Sequence, residues 1–258
     1  MRVSLIQSDI AWNDPGENAR RGRALAEQAA SQGGELLVFP EMFTCGFSMP
    51  KAEGAAEANA VGCSFLREVA ETFGVYSVGS LPEIGEGGAL FNTAYLYRPD
   101  GTSVAYRKIH LFSYGDETKW YSAGDATLTV DIRGVRCSLF ICYDLRFTLP
   151  FYKTADSTDL FVVMANWPTP RREHWLTLLR ARAIECQSYV AGVNRVGSGG
   201  GLGYSGDSVL IGPDGSLLGQ LGPTEEVFTG DVQPNTVASW RETFPALRDR
   251  KPEVYRNW

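Results

Sequence analysis

Two Pro-Asp-Gly turns constrain this chain more than any other feature. They stand at Arg98-Pro99-Asp100-Gly101 and Gly212-Pro213-Asp214-Gly215. Proline presets φ at the first turn position, aspartate hydrogen-bonds its own backbone, and glycine accepts positive φ. Apolar runs flank each turn, at 91–97 and 102–106 and again at 208–211 and 216–221, so each predicts a hairpin. The stretches before the two hairpins share one grammar. Before the first, a strand over 3–6 leads to a helix from Asp14, with Pro15 in its first turn and Glu17 placed for a capping box. That helix runs to about Gln32 and stops at Gly33-Gly34. The nearly continuous apolar run 35–39 predicts a strand covered on both faces. Ser64 is then the expected cap of a helix carrying Phe65, Leu66, Val69 and Phe73, ended by Gly74, and 75–81 is a strand. Before the second hairpin come a strand over 135–141, a helix from Asp144, a buried strand over 160–165, a helix over 173–187 and a strand over 189–193. One short helix follows Pro234 through 244, and the polar, aromatic-punctuated tail 248–258 is placed to dock on the body or on a partner subunit.

This duplicated order predicts two similar α/β halves, with coincidence as the alternative because such turns are common. Helix-covered mixed sheets are the natural layers for it, and two halves packed sheet to sheet make four layers. No linker divides the chain, so 1–258 reads as a single domain. A hydrophobic share of 44% with 21% charged residues excludes disorder. The net charge of -6 argues against a nucleic-acid or anionic-membrane partner. The first apolar run is interrupted by Asp9, too soon for a signal-peptide core, and nothing approaches a membrane span. With 2 His and no CxxC pair, no metal or cofactor is expected. An odd count of 5 Cys predicts free thiols in a reducing, cytoplasmic compartment.

In a helix-covered sheet, active sites gather where strands end. Glu41 follows the strand 35–39, Lys108 the strand 102–106, and Cys142 the strand 135–141. Alone, each has a plain reading as a solvated loop residue, a surface charge or a core thiol. Cys142 also precedes a helix start, whose dipole would favour a thiolate, and has a polar flank in Tyr143-Asp144-Leu145-Arg146. Cys45, Cys63, Cys137 and Cys186 lack that setting and read as packing residues. Together the three supply the base, cation and nucleophile of acyl transfer to a thiol. A Cys–His peptidase using His110 or His174 stays open at this point.

The blocks Val38-Phe39-Pro40-Glu41-Met42-Phe43, Tyr106-Arg107-Lys108-Ile109-His110-Leu111-Phe112 and Ile141-Cys142-Tyr143-Asp144-Leu145-Arg146-Phe147 resemble the three signatures of the nitrilase superfamily of carbon–nitrogen hydrolases, in family order. The resemblance continues through Met164-Ala165-Asn166-Trp167-Pro168, Ala181-Arg182-Ala183-Ile184-Glu185 and Gly203-Tyr204-Ser205-Gly206-Asp207-Ser208. Ala165-Asn166-Trp167-Pro168 and Asn194-Arg195-Val196-Gly197 are similar to the omega-amidase branch, which includes bacterial 2-oxoglutaramate amidases. The resemblance implies an α/β fold of the four-layer alpha-beta-beta-alpha sandwich type, with subunits paired at least as homodimers. It implies that Cys142 attacks an amide carbonyl to form a thioester, that Glu41 carries protons, and that Lys108 and the Tyr143 N–H hold the oxyanion. Glu117 matches the second carboxylate of the family. The implied substrates are small 2-oxo dicarboxylic monoamides, namely 2-oxoglutaramate and 2-oxosuccinamate.

Such a substrate keeps a free carboxylate that an Arg can fork. Arg146, Arg171 and Arg172 are candidates, although Arg146 could instead pair with Asp144 or Glu185. Trp167, Phe47, Trp120 and Tyr121 are candidates for an aromatic wall, with plain packing as the alternative for each. Nitrile hydrolysis and N-carbamoyl amino acid hydrolysis use the same three residues and remain alternatives, as does a non-catalytic binding protein. The acidic chain as a whole repels an anionic substrate, so binding one requires a local basic pocket.

Overall fold

Both faces of the central strands are apolar, which dictates a structure covered on both sides. Val3 and Leu5 point one way and Ile6 the other; Leu36 and Val38 point with the first set and Leu37 with the second. The computed structural model describes residues 1–49 and 52–255. Its first half comprises β1 (Arg2–Gln7), α1 (Pro15–Ser31), β2 (Leu36–Val38), α2 (Ala52–Phe73), β3 (Tyr76–Ile84), β4 (Leu90–Tyr97) and β5 (Ser103–Arg107). The second half runs β6 (Thr129–Ile132), β7 (Val135–Ile141), α3 (Thr148–Thr154), β8 (Leu160–Ala165), α4 (Arg172–Cys186), β9 (Tyr189–Asn194), β10 (Val196–Gly199), β11 (Leu202–Ser205), β12 (Val209–Ile211) and β13 (Leu217–Gln220). β14 (Glu226–Asp231), α5 (Pro234–Thr243) and α6 (Pro252–Tyr255) close the described chain.

The duplication is real. One sheet has the order β14-β1-β2-β3-β4-β5 and the other β6-β7-β8-β9-β12-β13. In each, three parallel strands pass into an antiparallel hairpin at a Pro-Asp-Gly turn, and an antiparallel strand covers the opposite edge. Residues of both sheets share one core between them, with Val3, Leu36, Val78 and Leu96 joining Leu139, Val163 and Val193. α1 and α2 cover the outer face of the first sheet through Leu25, Ala29, Phe65 and Val69. Phe151 of α3 and Trp175, Leu179 and Ala183 of α4 pack against the second sheet. The result is the four-layer α/β sandwich.

Three local expectations fail for physical reasons. α2 starts at Ala52, not at Ser64. Its first turns are built of Ala, Glu and Gly and carry no apolar periodicity to read. Gly62 in its interior is a packing residue: a Cβ there would meet Leu81 at 2.3 Å. No α-helix begins at Asp144; a 3-10 segment occupies Cys142–Arg146 and α3 starts at Thr148. The strands β6, β10, β11 and β14 were not expected, being short, edge-placed or glycine-rich. The tail does dock on the body as far as it is described, Arg250 donating to the Tyr152 carbonyl at 3.0 Å and pairing with Asp156. Residues 256–258 of that expectation lie outside the described residues.

An aromatic column ties the layers together. Phe140 meets Tyr106 of the first sheet edge to face at 5.8 Å and stacks on Phe151 of α3 at 4.0 Å. Because Phe140 is fully buried, Phe140→Ala should cost about 3–5 kcal/mol. Urea unfolding followed by circular dichroism checks this; a loss under about 1 kcal/mol would show that the column is not a structural tie.

Candidate active site

Three strand exits and a 3-10 turn converge on one point. Glu41 follows β2, where Phe39 N–H donates to the Val78 carbonyl and the Met42 N–H to Ser80 Oγ at 2.9 Å, turning the chain through positive φ at Met42. Lys108 directly follows β5, its N–H bonded to the Asn92 carbonyl at 2.8 Å. Glu117 opens a 3-10 turn, Glu117–Lys119, after Asp116 at φ 61°. Cys142 follows β7 at φ 45°, a left-handed backbone that non-glycine residues adopt only under constraint. The constraint is Asp144. This buried carboxylate accepts from the Ile141 N–H at 3.0 Å, the Tyr106 hydroxyl at 2.8 Å and the His110 N–H at 2.9 Å. His110 Nδ1 lies 2.9 Å from Asp144 and its ring stacks on Phe147. Asp144 is therefore spent on the loop, and His110 sits in the scaffold beneath the thiol.

Lys108 is the hub. Its Nζ donates to Glu41 Oε1 at 2.9 Å and to both oxygens of Glu117 at 3.1 and 2.9 Å. All three side chains have no solvent exposure. Burial alone disfavours the ammonium, but the Glu117 and Glu41 carboxylates outweigh it and raise Lys108 above its ordinary range. Asn92 Nδ2 donates to Glu41 at 2.8 Å and to Glu117 at 3.2 Å, and the Phe112 N–H donates to Glu117 at 2.6 Å. The Asn166 N–H donates to Glu41 Oε2 at 2.8 Å, and its Nδ2 donates to the Glu41 carbonyl.

Cys142 interacts electrostatically with Glu41, Lys108 and Glu117. Burial pushes its thiol well above the ordinary value, Glu41 adds to the rise, and Lys108 offsets only part of it. This corrects the expectation of a dipole-stabilised thiolate. The following helical piece is a five-residue 3-10 turn, too short for a strong dipole, and two carboxylates face the sulfur. The surroundings therefore favour the neutral thiol of Cys142 over its thiolate. Burial also pushes Cys45 and Cys186 up to about 12 and raises Cys137 and Cys63, as expected of packing thiols.

The pocket above Cys142 is lined by Phe47, Phe112, Tyr143, Arg146, Asn166, Trp167, Arg171 and Tyr204, among others. Arg146 pairs with neither Asp144 nor Glu185. It donates to His174 Nδ1 at 3.2 Å and lies 4.6 Å from the Trp167 ring centroid. Arg171 lies over Phe112 at 5.3 Å. Burial lowers Arg146, and the neighbouring Arg171 charge lowers it further. Neither guanidinium has an ion-pair partner among the described residues. Arg172 is not in the pocket wall; it forks Asp207 at 2.7 and 2.8 Å. Trp167 and Phe47 belong to the wall, whereas Tyr121 is buried with Met42, Cys45 and Ala58, and Trp120 lies outside it. Phe112, Tyr204, Asn92 and Asn166 were given no role in the sequence reading. A polar asparagine inside the apolar strand 90–97 is the signal that could have found Asn92. No group of three His, Cys, Asp or Glu among the described residues is arranged to hold a metal ion, and no described helix is long and apolar enough to cross a membrane.

The family model described as carbon–nitrogen hydrolase matches residues 2–242. Omega-amidase YafV of Escherichia coli (strain K12) is 36% identical across 100% of this chain and 99% of its own. The 2-oxoglutaramate amidase of Bacillus subtilis (strain 168) is 32% identical, with 98% of each chain covered. Among solved structures, XC1258 of Xanthomonas campestris, a CN-hydrolase superfamily protein with an arsenic adduct in its active site, superposes with a TM-score of 0.90 at 36% identity over 97% of each chain. With its sheets, its strand-end carboxylates and its thiol in the family order, this chain belongs to the carbon–nitrogen hydrolases of the nitrilase superfamily.

Proposed function

We propose that this chain is an omega-amidase that hydrolyses the terminal amide of small 2-oxo dicarboxylic monoamides, 2-oxoglutaramate and 2-oxosuccinamate, to the acid and ammonia. The observation that carries the reading is the Cys142 thiol beside a buried Glu41–Lys108–Glu117 triad, in a pocket lined by two guanidiniums without ion-pair partners among the described residues. Cys142 Sγ attacks the amide carbon as Glu41 takes the thiol proton. The carbonyl electrons move to oxygen, where Lys108 and the Tyr143 N–H stabilise the charge by about 3–4 kcal/mol per donor. The tetrahedral adduct collapses, the C–N bond breaks, and Glu41 delivers its proton to the departing ammonia. Water then attacks the thioester as Glu41 takes its proton; the C–S bond breaks, Glu41 returns that proton to Cys142 Sγ, and the acid leaves. Glu117 keeps Lys108 charged and aimed throughout.

Arg146 and Arg171 repel each other across an otherwise aromatic wall, and a substrate carboxylate relieves that repulsion. This supports the anionic monoamide over a neutral amide or nitrile. The chain functions as one domain, 1–258, in the cytoplasm, and as a homodimer or larger homo-oligomer. Five free cysteines suit a reducing compartment. Exposed Ile184 with Leu217 and Leu218 on the neighbouring β13 supports pairing of copies.

Cys142→Ala should lower ammonia release from 2-oxoglutaramate by about ten-thousand-fold or more; retained turnover sinks the thioester route. Arg146→Leu should raise KM for 2-oxoglutaramate about 10- to 100-fold and leave a neutral amide such as butyramide unaffected. Equal effects on both substrates would remove the carboxylate clamp.

The raised thiol gives a pH prediction. A group raised in the folded protein keeps its proton to higher pH, so Cys142 should yield no thiolate absorbance up to its ordinary value of 9.0. The measurement is an ultraviolet titration of wild type against Cys142→Ala. A Cys142 thiolate already present at about pH 7 would remove the need for Glu41 as base.

A further inference from the structure

We infer that Asn166 Oδ1 is the acceptor that reads the N–H2 of the scissile amide and makes this site selective for primary amides. The inference rests on the amidase reading above and goes beyond it by naming what recognises the leaving group.

A primary amide brings two N–H donors into a dry pocket, and each needs an acceptor. The carboxylates cannot serve. Glu117 already accepts four hydrogen bonds, from Asn92, twice from Lys108, and from the Phe112 N–H. Four is the capacity of a carboxylate. Glu41 accepts from Lys108 and Asn92 at Oε1 and from the Asn166 N–H at Oε2. Its remaining position faces the thiol. Once Glu41 has taken the thiol proton, that position is a donor aimed at the amide nitrogen lone pair.

Asn166 lies in the pocket wall at 6% exposure. Its orientation is fixed, because Nδ2 faces the Glu41 carbonyl, which can only accept. Oδ1 is thereby turned to the other side, where it has no hydrogen-bond partner among the described residues. Of the buried side-chain atoms left without a partner among the described residues, it alone belongs to a residue of this pocket. An amide N–H satisfies it, and it holds the same nitrogen while the C–N bond breaks and Glu41 donates the proton that completes ammonia. A nitrile or an alkyl ester presents no N–H at that point and leaves Oδ1 unpaired.

The test compares glutaramate with monomethyl glutarate, an ester that gives the same thioester on Cys142 without an N–H leaving group. In Asn166→Leu, kcat/KM for the amide should fall about 10- to 100-fold more than for the ester. A merely structural role through Glu41 predicts equal losses on both substrates, because Glu41 serves both; that result overturns the inference while leaving the amidase reading intact. Calorimetric binding in the Cys142→Ala background provides the second readout. There Asn166→Leu should weaken the amide but not the ester, and equal weakening overturns the inference. A wild-type protein that hydrolyses no primary amide overturns both readings.

Discussion

Everything in this structure depends on how one buried ammonium is shared. Lys108 has no solvent exposure and serves two carboxylates that are equally buried. Removing three charges from water costs several kcal/mol per ion, and that cost is offset only when every lone pair and proton finds a partner. The partners come from three separate places: Asn92 on β4, the Phe112 N–H in the loop after Lys108, and Asn166 after β8. Glu41 belongs to the first sheet and Asn166 to the second. The site therefore exists only when the two halves are packed, and the large inter-sheet core is what holds its charged groups in register.

The duplicated topology explains why the chemistry collects at this end. Parallel strands deliver all their carboxyl ends to one edge, and β2, β7 and β8 place Glu41, Cys142 and Asn166 there. The hairpin of the first half supplies Lys108 and Asn92. The equivalent hairpin of the second half contributes no charged group to the triad; the preceding strand β11 contributes Tyr204 to the wall. The symmetry of the scaffold is thus broken at the site, with Glu41 and Lys108 from one half and Cys142 from the other.

What the sequence revealed follows from the range of each signal. Strand periodicity and turn chemistry are local, so β7 and β8 were located to the residue, and both Pro-Asp-Gly hairpins within one or two. The first half of α2 was invisible because its small residues carry no stripe; Gly62 matters only through Leu81 across the chain. Glu41, Lys108 and Cys142 were legible as residue blocks. Their charge states were not, because the Cys142 thiol is raised first by burial and then by a carboxylate that folding brings beside it. Arg172 and Arg171 are indistinguishable neighbours in sequence, and only the position of Asp207 takes one of them out of the pocket. Asn92 and Asn166 act through partners many residues away, which no local pattern encodes.

The triad also explains how a dry site can run this proposed reaction at all. Before attack it holds two carboxylates, one ammonium and a neutral thiol, a net charge of minus one. During attack the proton moves from sulfur to Glu41, and the negative charge moves from Glu41 to the new oxyanion. The net charge stays the same, so no ion has to be created in a low-dielectric space, which would cost far more than moving one. Lys108 gains freedom in the same step. A protonated Glu41 holds it less strongly, Glu117 keeps it in place, and its third N–H becomes available to the oxyanion. A histidine base would leave a cation beside Lys108 after proton transfer. A carboxylate base leaves a neutral acid, which is why this arrangement of Glu41, Glu117 and Lys108 works without histidine.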